Sequence, residues 1–337
     1  MRGLDARYVA TRLLRFGLTV WLGLTLMFII PRLGRTDPTA TLLGKLIGAA
    51  DGVDAGALVA EYRTRFGLDQ PVFIQYLQFL WNTVKLDAGV SLSQFPTPVN
   101  ALILQAAPYT LVLMLTATLA SFVIGTIIGA LLGWPDTPRW ARRILPVTLI
   151  FTSLPAFMVG VLLIQLFAQA LHWLPFSGAY EPGLTPGWTP EFIGSLFRHA
   201  LMPWLAVVVV LLGQWALNMR GVLISTARED YVTLGRAKGL SPARLFFRYG
   251  MRNAALPQAT ALAMALGGIV GGVVVVEAVF VYPGMGTLLY SAIQNNDYTV
   301  IQGVSSYLIM GTALAVLLVD LAYPLIDPRV RQGKAAA

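Results

Sequence analysis

Few side chains in this sequence have the types and spacing that chemistry needs. Cysteine is absent and only two histidines occur, His172 and His199. Disulfides, thiol catalysis and Cys-ligated metals are therefore excluded, and a histidine-built metal site has little to draw on. There is no His-Glu-x-x-His. There is also no Gly-x-x-x-x-Gly-Lys-Ser/Thr, since Gly44-Lys45 lacks both the earlier glycine and the hydroxyl residue. What remains is a short set of polar groups set in apolar runs. Glu277 and Asp320 are the acids there, each near the end of its run, from which an acid reaches the interface by position. Gln214 and Asn218 stand four apart, on one helical face. Ionisable groups at membrane depth are costly and mark function by default. The Gln214–Asn218 pair suits a polar path or bonds between helices equally. No chain of acids and histidines for a proton relay is present. With both histidines expected outside the spans on the external side, neither is a nucleophile–base pair for a membrane enzyme.

The elements that must position these groups are membrane helices. Of 337 residues, 56% are hydrophobic and only 12% are charged, where a soluble domain carries about 25%. The mean hydropathy of +0.69 agrees, and the main partner of such a surface is lipid. Crossing the hydrocarbon takes about 20 apolar residues. Six runs qualify: Leu13–Pro31, Ala107–Trp134, Leu145–Leu171, Leu201–Met219, Gln258–Val281 and Ile301–Tyr323. The first follows Arg2, Arg7, Arg12 and Arg15 but ends in Pro31-Arg32 with no small-x-small cleavage site, so it reads as an uncleaved anchor.

Six spans place both termini on one side. Residues 1–12, the loops after spans two and four, and residues 324–337, with Arg15 at the start of span one, hold 17 of the 24 Lys and Arg. The positive-inside rule puts that side in the cytoplasm. The net charge of +8, which in a soluble protein would suggest nucleic acid, reads here as orientation. The opposite side carries one long loop, residues 32–106, in which six acids offset six bases. Within it, Val72–Val84 is amphipathic: Phe73, Leu77, Leu80, Trp81 and Val84 share a face, with Gln75, Gln78, Asn82 and Lys85 on another. Such a helix either lies on the membrane surface or caps the bundle. Asp51–Gly56 has the composition of a mobile stretch.

Small residues predict close helix packing within the core, residues 107–323. Ser121, Gly125, Gly129 and Gly133 recur every four residues in span two, and Gly267, Gly268, Gly271 and Gly272 cluster in span five.

The loop between spans four and five, Arg220–Pro257, is the most informative segment. Thr226–Lys238 reads as a helix, with Glu229 and Asp230 early and Arg236 and Lys238 late, in the order the macrodipole favours. Gly239 fits the C′ position and Leu240 the apolar contact beyond it. Ser241 then fits an N-cap and Pro242 the first position of a second short helix. That helix would leave Leu245, Phe246 and Phe247 exposed beside Arg244 and Arg248. Exposed apolar residues of this size need a partner, either a protein groove or the bilayer surface.

The run Asp230-Tyr231-Val232, Arg236-Ala237-Lys238-Gly239-Leu240-Ser241 and Arg252-Asn253-Ala254-Ala255-Leu256-Pro257 resembles the coupling loop of binding-protein-dependent ABC importer permeases. The likeness is to the peptide, nickel and oligosaccharide branch, of the dipeptide/oligopeptide permease type. Phe66-Gly67-Leu68-Asp69-Gln70-Pro71 with Gln75-Tyr76-Leu77, Asp87-Ala88-Gly89-Val90-Ser91, and Trp173-Leu174-Pro175 with Ser177-Gly178 are similar to that branch's external segments. Glu277-Ala278-Val279-Phe280 with Tyr282-Pro283-Gly284-Met285-Gly286 matches closely, as does Asp320-Leu321-Ala322-Tyr323 with Asp327-Pro328-Arg329-Val330-Arg331. The general family's Glu-Ala-Ala falls here at Thr233, Leu234 and Gly235, a departure that looks typical of the branch.

The resemblance implies an all-α type I ABC importer permease fold with six transmembrane helices in the bacterial inner membrane. It implies a non-catalytic chain without a cofactor of its own, paired with a second, similar permease as a heterodimer. ATP and Mg would be bound by two partner ATPase subunits, and an extracytoplasmic solute-binding protein would deliver a peptide; oligosaccharide or nickel are the alternatives. ATPase coupling would fall on Tyr231, Gly235, Arg236, Ala237, Lys238, Gly239, Leu240, Ser241, Pro242, Arg244, Leu245, Phe246 and Phe247. Gln214, Asn218, Glu277 and Met285 are the candidates for the pathway or its gate. The rival class, an ion-coupled secondary transporter or channel, needs intramembrane charges or paired broken helices, and two end-of-span acids supply little of that.

Overall fold

The computed structural model describes residues 6–33, 69–138, 143–269 and 274–326. Asp51–Gly56, Phe66–Leu68, Gly271, Gly272 and the segment after Ile326 lie outside them. Among the described residues the regular structure is helical apart from one isolated bridge between Val90 and Pro98. The helices are α1 (Ala6–Leu33), α2 (Val72–Val84), α3 (Val99–Gly133), α4 (Ile144–Ser153), α5 (Ala156–Leu163, continued by a π-helical turn Ile164–Ala170), α6 (Pro190–Thr226), α7 (Asp230–Ala237), α8 (Pro242–Arg244, continued by a π-helical turn Leu245–Met251), α9 (Arg252–Gly268), α10 (Val274–Val279), α11 (Met285–Gln294) and α12 (Tyr298–Ile326).

Four of these, α1, α3, α6 and α12, are long and apolar enough to cross a membrane. The third expected span differs from a single rod: Leu145–Ser153 and Ala156–Ala170 meet at a bend of 103°. Pro155 is the cause. Its ring excludes the residue before it from helical torsions, and Leu154 is extended (φ −94°, ψ 134°). The apolar run continues through the break, so hydropathy alone hides it. The fifth expected span is described only as α9 and α10, on either side of residues 270–273. Among the described residues, four helices and one bent pair have the length and apolar character of a span. The helices also run beyond the expected spans. α6 begins at Pro190 rather than near Leu201, because Thr189 caps it, accepting from Phe192 N–H at 3.3 Å, and Pro190 stands in its first turn. His199 lies inside α6, buried, with Nδ1 2.8 Å from the Ser195 carbonyl.

The chain divides into two compact units, one of residues 1–110 and 283–317, the other of residues 111–282 and 318–337. In the first, α3, α11 and α12 share a core of Val99, Ile103, Ala106, Met285, Ala292, Val300 and Val304. α12 crosses closely: a Cβ on Gly303 would fall 2.7 Å from Val99 Cγ1 and 3.0 Å from Ala88 Cβ. In the second, the small residues of α3 seat it on α6. A Cβ on Gly125 would lie 2.6 Å from the Leu212 carbonyl, one on Gly133 2.8 Å from that of Arg220, and one on Gly129 would fall on the Ala216 carbonyl. Ser121, in the same row, is fully buried. Gly267 is buried, whereas a Cβ on Gly268 meets nothing within 4 Å. Gly268 packs against none of the described residues.

Candidate functional site

The loop after α6 is built from ordinary helix-end chemistry. α6 runs to Thr226, and a turn at residues 227–229 separates it from α7, which starts at Asp230, four residues later than expected. α7 ends in a Schellman motif: Leu240 N–H donates to the Gly235 carbonyl (3.2 Å) and Gly239 N–H to that of Arg236 (2.9 Å). Gly239 takes the left-handed conformation this requires (φ +73°). Ser241 is extended and precedes Pro242 in the first turn of α8, although its hydroxyl makes no capping bond. The helix then does not stop. Pro242 to Gly268 is one helical run through a π-helical turn, so the expected short helix is the beginning of the longer one.

The apolar residues of this segment part company. Leu245, expected to be exposed, is 2% exposed in a core with Trp134, Met219, Leu223, Val232 and Ala254. Gly235 leaves room for it, since a Cβ there would lie 2.7 Å from Leu245 Cδ2 and 3.4 Å from Leu240 Cδ1. Phe246 is half-buried, edge-on to Trp134 at 5.5 Å. Phe247 alone of the three faces out, 67% exposed, with Leu234 at 55%. Around them Arg236, Ala237, Lys238, Pro242, Arg244 and Arg248 are all exposed. Arg236 meets Asp136 at 3.4 Å, an exposed pair of little stabilising weight. Tyr231 stacks on Tyr249 at 6.4 Å, and its burial, with Glu229 nearby, pushes its phenol up from 10.0. The segment thus exposes two apolar side chains, Phe247 and Leu234, and four cations, Arg236, Lys238, Arg244 and Arg248, over a core that buries Leu245.

The pathway candidates have different surroundings. Gln214 and Asn218 sit on the exposed face of α6, while Gly213, Trp215, Ala216 and Met219 are buried. Gly221 and Ser225 continue the exposed row, so α6 carries a polar and small stripe at spacings of four, three and four. Glu277, instead of reaching an interface, is fully buried in α10. Met285 is buried in the core of the other unit, its N–H donating to Thr110 Oγ1 at 2.8 Å.

A cavity of about 360 Å³ opens near the ends of α3, α4 and α6, lined by Leu132, Trp134, Leu145 and Ile224 with Arg220 and Arg228. No single periodic pattern marks it, because three helices supply its walls.

Sequence reasoning also missed Asp297. Buried between α11 and α12, it accepts from Ser91 Oγ (2.6 Å), Ser93 N–H (2.8 Å) and Ser93 Oγ (2.8 Å) on one oxygen and from Val300 N–H (3.1 Å) on the other. Burial pushes its carboxyl up, but these bonds outweigh it and hold the group below 3.8. An aspartate immediately before an apolar helix is an N-cap signature, which was legible. The serines 206 and 204 positions away were not. Segments matched separately in the sequence also meet: Gly178 N–H donates to the Phe280 carbonyl at 3.0 Å.

A family model of the binding-protein-dependent transport system inner membrane component matches residues 125–332. Over 333 residues the chain is 35% identical to a putative peptide permease protein of Brucella ovis, covering 96% of this chain and 99% of that one. It is 32% identical over 338 residues to the di/tripeptide transport system permease protein of Pseudomonas aeruginosa, covering 95% and 98%. It is 31% identical over 327 residues to the glutathione transport system permease protein of Escherichia coli K12, covering 96% and 98%. With its apolar spanning helices and this match along most of its length, the chain belongs to the inner membrane components of binding-protein-dependent transport systems, the permease subunits of ABC importers.

Proposed function

We propose that this chain is the non-catalytic permease subunit through which an ATP-driven importer passes a peptide into the cytoplasm by alternating access. The observation that carries the ATP-driven part is the exposure of Phe247 and Leu234 in a segment that also exposes Lys238, Arg244 and Arg248. That segment is a docking surface on a chain that has no phosphate-binding loop of its own. Leu240 to Phe247 would enter a groove on an ATPase partner, and the cytoplasmic placement of both termini follows from the charge sorting. Nucleotide bound to the paired ATPases would favour one of two permease conformations, and its hydrolysis would release it. The stripe Gln214–Asn218–Gly221–Ser225 supports a path completed by a second permease, because polar side chains exposed on a spanning helix are unsuited to lipid. Peptide is favoured over oligosaccharide or nickel by the names of the relatives above, and a solute-binding protein would deliver it.

The test is reconstitution of the chain in liposomes with a partner permease, two ATPases and the binding protein, reading ATP-dependent uptake of a labelled peptide. Phe247→Ala is expected to leave the chain folded and abolish uptake. Nucleotide-independent transport by the chain alone would overturn the proposal.

A further inference from the structure

α2 presents three distinct sectors. Toward α1 it turns Tyr76, Phe79 and Thr83. The Tyr76 and Phe79 rings lie 5.2 and 5.6 Å from that of Phe28, Tyr76 Oη is 2.7 Å from Thr25 Oγ1, and Thr83 is buried. A second sector holds Gln78, Asn82 and Lys85, all exposed and polar. The third is the row Phe73, Leu77, Trp81 and Val84, at 69%, 49%, 60% and 75% exposure. A helix packed on a neighbour through one face would ordinarily carry polar residues around the rest of its surface. Half of this one's free surface is instead large and apolar, which calls for an apolar medium.

Depth identifies the medium. Thr25 belongs to the spanning run Arg7–Ile30, about 7 Å inside its C-terminal end at 1.5 Å per residue. The Thr25–Tyr76 contact therefore holds α2 beside the last turns of α1, where α1 itself exposes Leu22, Leu26, Ile29 and Ile30. Arg32, at the end of α1, lies over the Phe28 ring at 3.5 Å and donates to Gln75 Oε1 at 2.9 Å, placing a charge where the hydrocarbon gives way to headgroups. Lys85 Nζ sits 4.9 Å above the Trp81 ring. Tryptophan with a cation beside it is a membrane-interface pairing.

We infer that α2 is a lipid anchor lying in the leaflet at the C-terminal end of α1. The Phe73–Leu77–Trp81–Val84 row enters the acyl region, and Gln78, Asn82 and Lys85 face water. The inference rests on α1 being a span and is independent of what the importer carries. With one lysine in the water-facing sector, the attraction is hydrophobic and does not require anionic lipid.

The absence of cysteine makes the test direct. Phe73→Cys, Leu77→Cys, Val84→Cys, Gln78→Cys and Asn82→Cys are made singly in the full chain, spin-labelled, and reconstituted in phosphatidylcholine vesicles. Accessibility to oxygen and to a water-soluble nickel chelate is then read by electron paramagnetic resonance. The expected result is an inversion: oxygen exceeds nickel at 73, 77 and 84, and nickel exceeds oxygen at 78 and 82. Nickel access at 73, 77 and 84 equal to that at 78 would overturn the inference in favour of a water-facing surface. Loss of access to both reagents at those three positions would overturn it in favour of a protein-covered one. These positions are exposed, so a label there leaves the fold intact, and circular dichroism of each variant checks this.

Discussion

Gly129→Ala and Gly268→Ala insert the same methyl group into two helices of this chain, and the structure assigns them opposite signs. At Gly129 the new Cβ lands on the Ala216 carbonyl, and the three nearest atoms are all backbone. No rotamer change relieves that clash, so α3 and α6 must separate. A gap of 0.5–1 Å forfeits about a quarter to a half of the dispersion energy of the atoms it parts. The separation would also loosen the neighbouring seats at Gly125 and Gly133, whose added Cβ atoms would lie 2.6 and 2.8 Å from α6 carbonyls. Overpacking a close-packed interior costs about 1–3 kcal/mol, and backbone against backbone belongs at the upper end. About 3 kcal/mol lowers the folded-to-unfolded ratio more than a hundredfold. At Gly268 nothing lies within 4 Å, and replacing a helical glycine by alanine gains about 0.5–1 kcal/mol. Both variants are purified in the same detergent and unfolded by heat and by denaturant titration. Gly129→Ala should melt below the parent and Gly268→Ala at or above it. Equal stability of the two variants, or a less stable Gly268→Ala, would refute the reading that α3 seats on α6 through its glycines.

Other perturbations separate fold from function. Leu245→Ala should destabilise the chain by about 2–5 kcal/mol, as buried leucines do, whereas Phe247→Ala should cost under about 1.5 kcal/mol from the third of its surface that is covered, yet abolish peptide-stimulated ATP hydrolysis in the assembled importer. Thermal unfolding beside an ATPase assay distinguishes them. Ser91→Ala should cost about 1.5–3 kcal/mol, the worth of a hydrogen bond to a charged group. Because the folded carboxyl of Asp297 sits below 3.8, its contribution is fully present above the unfolded value and is lost as pH falls through the folded one. Stability measured from pH 6 to pH 2.5 should fall less steeply in Asp297→Asn. Val281, a β-branched residue at φ +48°, fills the left-handed position after α10 that glycine normally takes. Val281→Gly should be stabilising by about 0.5–1 kcal/mol, the left-handed penalty less the entropy glycine adds to the unfolded chain.

The sequence by itself determined what depends on composition and on short-range pattern. Apolar runs specified helices for lipid because the cost of unmet backbone groups in hydrocarbon leaves little else. The order Gly239-Leu240-Ser241-Pro242 specified the end of one helix and the start of the next, since each residue there acts on its own few neighbours. The glycine row of α3 announced a close crossing, though not its partner.

The tertiary structure decided matters of direction and distance. Leu245 and Phe247 are both large and apolar, yet one is 2% and the other 67% exposed, because Gly235 in the preceding helix and Trp134, far away in the chain, make a seat on one side only. The amphipathic pattern of Val72–Val84 showed two faces. The third, formed by Tyr76 and Phe79, exists only because Phe28 and Thr25 stand beside it. Asp297 advertised a cap, while the serines that complete its site arrive from the other end of the chain. Hydrophobic pattern fixes which residues prefer to leave water. Which neighbour receives each of them is a property of helices brought together from distant parts of the sequence, and no local window contains it.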